Sequence, residues 1–128
     1  MIIAIDFDGT CVTHEYPNRG RNIGAEKVLR KLQEKGHQLL LWTMRSGKEL
    51  IDAESWFYEN GLELYGVNTN PTQKTWTESP KAYAQLYIDD AALGIPLIEN
   101  TYENSKILER SYVDWVEVEQ ILVNKGIL

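Results

Sequence analysis

The chain has 128 residues, the size of one ordinary domain, and its 43% apolar share is enough for a real core. A net charge of −6 excludes a general basic footprint for nucleic acid or an anionic membrane. One cysteine, Cys11, excludes an internal disulfide and fits a reducing cytoplasm; no apolar run is long enough for a signal peptide or a membrane span.

The chain opens "MIIAIDFDGT". Ile2 to Ile5 are short and β-branched, the pattern of a buried strand. After a polar stretch, Ala25, Val28, Leu29 and Leu32 recur at helical spacing, with Gly36 as a C-terminal stop. "QLLLW" predicts a second strand ending at Trp42. Leu50, Ala53 and Phe57 share one face of a second helix closed by Gly61. "YGVN" predicts a brief third strand, and the turn-rich "TNPTQKTWTESP" leads to a fourth, "QLYI". "GIPLI" is a candidate fifth, where Pro96 restricts it to an edge or a strand start. Asp114 and Glu117 form a capping box for a last helix that stops at Gly126. No repeat, linker or low-complexity segment interrupts the pattern.

Strands that alternate with amphipathic helices predict βαβ units and an α/β fold with a mostly parallel sheet of about five strands. Residues 1–128 are expected to form one domain. Ligands of such sheets bind beyond the carboxyl ends of the strands. Asp6 and Asp8 follow strand one, Thr43 follows strand two, and Asp89 and Asp90 follow strand four; Lys81 lies just ahead of strand four. Four carboxylates gathered on one edge cannot all stay ionised without a cation. Mg²⁺ suits sparse oxygen ligands, and it normally shares its shell with a phosphate.

These residues resemble the haloacid dehalogenase (HAD) superfamily of aspartate-nucleophile phosphatases. "DFDGT" matches its first motif, Thr43 its second, Lys81 its third and "YIDD" its fourth, in the family's order and over most of the chain. The resemblance implies a three-layer Rossmann-like domain. Asp6 would attack phosphorus, and Asp8 would act as acid and then base. Thr43 would bind phosphoryl oxygens, and Lys81 would offset the negative charge. Asp6, the Asp8 backbone carbonyl and the Asp89–Asp90 pair would hold Mg²⁺. Asp90 aligns with the direct ligand and Asp89 would act through water, a register left open. Lys74 is the rival to Lys81. The gaps between the motifs are too short for an additional domain, so the resemblance is to capless members, which often take large substrates or borrow a cover from a neighbouring subunit. A homo-oligomer is therefore one expectation.

Arg45 and Lys48 begin the second helix and are candidates to grip a substrate phosphate, with solvated surface charge as the equal alternative. His14, Tyr16, Arg19 and Arg21 lie in the segment that overhangs the site in the resembling family, which makes them candidates for substrate contact; a surface loop is the plainer reading. Cys11, Trp56 and Trp115 read as packing residues, and Trp76 as a weak candidate for stacking on substrate. The expected function is Mg²⁺-dependent hydrolysis of a small phosphomonoester or nucleotide through an aspartyl-phosphate. Alternatives are a nucleic-acid-end phosphatase, a receiver-like phosphoacceptor domain and a binding protein on a retained fold. A receiver carries its phosphorylated aspartate after strand three, where this chain has "NTNP".

Overall fold

The structure is a computed structural model that describes residues 1–99 and 110–128. β1 (Ile2–Ile5), α1 (Ala25–Glu34), β2 (Gln38–Leu41), α2 (Gly47–Glu59), β3 (Leu64–Val67) and β4 (Leu86–Ile88) follow in chain order. A two-stranded ribbon, β5 (Leu97–Ile98) and β6 (Tyr112–Val113), precedes α3 (Trp115–Asn124). The four main strands form one parallel sheet, ordered β3-β2-β1-β4. This is an α/β, Rossmann-like arrangement. The candidate fifth strand does not join that sheet: Leu97 and Ile98 are exposed and pair antiparallel with Val113 and Tyr112. Pro96 stands immediately before β5, a strand start, where its missing N–H breaks no ladder.

Alternation along the strands sorts the sheet into two unlike faces. Ile3, Ile5, Leu39 and Leu41 face one core, together with Val28, Leu29 and Leu32 of α1, Ala53, Trp56 and Phe57 of α2, and Trp115, Val118 and Leu122 of α3. Ala4 and Leu40 face the other way, against Ala82 and Ala84 of the loop before β4. Among the described residues, the three helices thus pack on one face and a loop covers the other. Gln73 lets that loop act as a cover. Its buried amide donates to the carbonyls of Ser79 and Lys81 and accepts from the Tyr83 N–H, which satisfies backbone groups that no helix or ladder serves. Asn70 adds a bond to the Tyr83 carbonyl.

Candidate active site

Strand register assembles the site. Ile5 lies level with Ile88 on one side and Leu41 on the other, so the next residues, Asp6, Asp89 and Trp42, leave the sheet together. The Asp6 N–H donates to the Ile88 carbonyl and the Trp42 N–H to the Ile5 carbonyl, which extends both ladders to the rim. Beyond the rim lies a cleft of about 480 Å³ lined by Asp6, Asp8, Thr43, Arg45, Asp89 and Asp90. His14 and Tyr16 border it from the segment after β1, Met44 from the β2 end, and Arg110 from just ahead of β6.

Asp6, Asp89 and Asp90 each bring a carboxylate oxygen within 4.8 Å of the others. Burial pushes the Asp6 carboxyl up to about 8, and repulsion from Asp89 and Asp90 adds to it; only the Thr10 hydrogen bond opposes. Asp90 is raised too, first by burial. An all-oxygen set of three carboxylates this close, with Asp6 and Asp90 held toward their neutral forms, fits a hard divalent cation such as Mg²⁺. Gly9 makes the crowding possible. It sits at φ +78°, and an added Cβ would lie 2.5 Å from Asp90 Oδ2. Asp89 also caps the turn that follows, its Oδ1 accepting from the Ala91 N–H at 2.9 Å.

Thr43 is held at the rim by its own N–H, which donates to Asn68 Oδ1 at 2.8 Å; its hydroxyl oxygen accepts from the Arg45 N–H. Among the described residues the hydroxyl proton has no acceptor, so Thr43 keeps a donor for the cleft. Asp8 is gripped at both oxygens: Arg45 Nη2 lies 2.7 Å from Oδ1 and Nε 2.8 Å from Oδ2.

Several expected residues stand elsewhere. Lys81 is exposed and outside the cleft lining, with Nζ 5.4 Å from the Tyr87 ring centroid in a separate 370 Å³ hollow shared with Trp76. Lys74 is exposed on the short 3₁₀ turn Gln73–Thr75. Neither lysine forms an ion pair among the described residues. Trp76 meets Tyr83 edge-on and does not border the cleft. Arg19 turns away to Asp52 and Glu59 of α2. Arg21 and Lys48 are exposed and outside the cleft lining. Arg45, expected at the surface or on a phosphate, is 2% exposed and engaged with protein acceptors. Cys11, Trp56 and Trp115 are core residues, as expected.

Two further residues complete the site. Thr10, the last residue of "DFDGT", donates to Asp6 Oδ2 at 2.7 Å and accepts from the Asp90 N–H at 3.0 Å, tying the two acidic segments together. Arg110 places Nη1 3.0 Å from His14 Nε2 at the cleft border. It stands two residues ahead of β6 and carries no signal of its own in the sequence.

Fold and site together define an α/β protein with a Rossmann-like parallel sheet and a carboxylate cleft at its C-terminal edge. No family model and no curated protein matches the chain. Among solved structures, it is similar to a conserved protein from Bacteroides thetaiotaomicron, with 34% identity and a TM-score of 0.77, over 98% of this chain and 91% of that one. The chain belongs to the same family as that Bacteroides protein.

Proposed function

We propose that the protein is a Mg²⁺-dependent phosphatase of the HAD type, a single capless domain that hydrolyses a phosphomonoester through an aspartyl-phosphate on Asp6. The observation that carries this reading is the meeting of Asp6, Asp89 and Asp90 in one cleft with the donor hydroxyl of Thr43. Asp6, Asp89 and Asp90 would hold Mg²⁺, which supplies charge neutralisation for the phosphoryl group. One Asp6 oxygen forms a bond to phosphorus as the bond to the ester oxygen breaks, and the departing alkoxide takes the proton that Asp8 carries into the step. A water then attacks phosphorus and gives up its proton toward Asp8. The P–O bond to Asp6 breaks, and inorganic phosphate leaves. Splitting one displacement into two lowers each barrier. Thr43 donates to a phosphoryl oxygen throughout.

A phosphate-release screen over phosphorylated metabolites, nucleotides and p-nitrophenyl phosphate tests the reading. Release with Mg²⁺ that stops in excess chelator and returns on readdition supports it. Full activity in excess chelator, or no release from any compound, contradicts it. A receiver domain is less favoured because β3 ends at Val67 and passes to Asn68, with no acidic acceptor there.

A further inference from the structure

Arg45 has the most completely used side chain at the cleft. Its Nε and Nη2 grip the two oxygens of Asp8 at 2.8 and 2.7 Å. The second Nη2 proton goes to the Asn18 carbonyl at 2.8 Å, and Nη1 donates to the carbonyls of Glu49 at 3.2 Å and Pro17 at 3.4 Å. All five N–H donors of the guanidinium therefore have protein acceptors. Its flat faces are occupied as well: the central carbon lies 5.0 Å from the Phe7 centroid and 5.3 Å from that of Tyr16. The Arg45 side chain is 1% exposed and that of Asp8 12%. A cation with no donor to spare is poorly suited to receiving a phosphate. It is well suited to fixing a carboxylate, because a two-point grip sets both position and plane.

We propose that Arg45 is the positioning residue of Asp8. It anchors the acid–base carboxylate simultaneously to the segment after β1, through Pro17 and Asn18, and to the first turn of α2, through Glu49. This rests on the phosphatase reading and adds a residue to it. Without Arg45, the Asp8 carboxylate keeps its chemistry and loses its fixed place. The defect should therefore copy the loss of Asp8 itself. Phosphoryl transfer from an ester with a good leaving group survives, whereas hydrolysis of the phosphoenzyme, which needs an oriented base, slows.

Rapid mixing with p-nitrophenyl phosphate and Mg²⁺ provides the test, on Arg45→Lys, Arg45→Met, Asp8→Asn and the double variant Asp8→Asn/Arg45→Met. A lysine keeps the charge and cannot make the two-point grip, so Arg45→Lys remains informative where Arg45→Met does not fold. The expected result is a burst of up to one equivalent of p-nitrophenol followed by turnover slowed on the order of 10²- to 10⁴-fold. KM should not rise, inhibition by inorganic phosphate should be unchanged, and the double variant should be no slower than Asp8→Asn. Three results would overturn the assignment: burst and turnover falling together, a raised KM with weakened phosphate inhibition, or fully additive losses in the double variant. Failure of the phosphatase reading is separately visible, since the unaltered protein would then release no p-nitrophenol, and the assignment would fall with it.

Discussion

Asp6 bears the largest electrostatic cost in the cleft. Its carboxyl is pushed from 3.8 to about 8, first by burial and then by its acidic neighbours. Between those two values the folded chain holds a proton that the unfolded chain has lost. Stability of the metal-free protein must therefore fall as pH rises through that window. Asp6→Asn mimics the protonated acid and removes this linkage. Melting temperatures measured in chelator should decline from pH 5 to 8 for the unaltered protein and decline less for Asp6→Asn. Parallel curves for the two would contradict the assigned crowding. The same crowding explains what could be read from the residues alone. Asp6, Asp8, Asp89 and Asp90 are legible because acidic pairs at the ends of apolar strands need a partner. The Arg45 grip is not legible, because sequence shows a charge next to a serine and not its burial.

At the scale of elements, α3 and the ribbon hold the first loop of the site from behind. The Val113 N–H donates to the Gly9 carbonyl at 2.9 Å, and Trp115 Nε1 donates to the Thr10 carbonyl at 2.7 Å. Trp115→Phe keeps an aromatic ring in the core and leaves that buried carbonyl without its donor. The expected cost is about 1–3 kcal/mol in chemical denaturation. Weaker Mg²⁺ binding should accompany it, because Thr10 links Asp6 to Asp90. Unchanged stability and unchanged metal affinity would show that α3 merely packs nearby. The helices were readable from apolar spacing and their glycine stops. Asp114 caps α3 as its spacing with Glu117 predicts, accepting from the N–H groups of Val116 and Glu117. The fate of "GIPLI" was not readable, since its pairing partner Tyr112–Val113 is too short to carry a period and lies beyond an intervening stretch. The loop cover is not legible for a related reason: Gln73 and Asn70 do by side-chain hydrogen bonds what a helix does by periodicity, and such bonds leave no repeating pattern.

Taken whole, the molecule places negative charge at the open end of one sheet. Binding of Mg²⁺ there to the folded state alone should raise the melting temperature, by about 2.7 kcal/mol of stability at a hundredfold excess over Kd. Ca²⁺ should support turnover poorly, since its larger and looser shell misplaces the nucleophile. A melting temperature unmoved by saturating Mg²⁺ would count against a metal in the cleft. The central claim is that Asp6 becomes phosphorylated. Acid quenching during turnover of p-nitrophenyl phosphate, followed by mass spectrometry of the peptides, tests it most directly. Asp8→Asn should accumulate one phosphoryl group on the peptide that contains Asp6, and Asp6→Asn should carry none and release no phosphate. A label on another residue, or normal phosphate release by Asp6→Asn, would contradict the account.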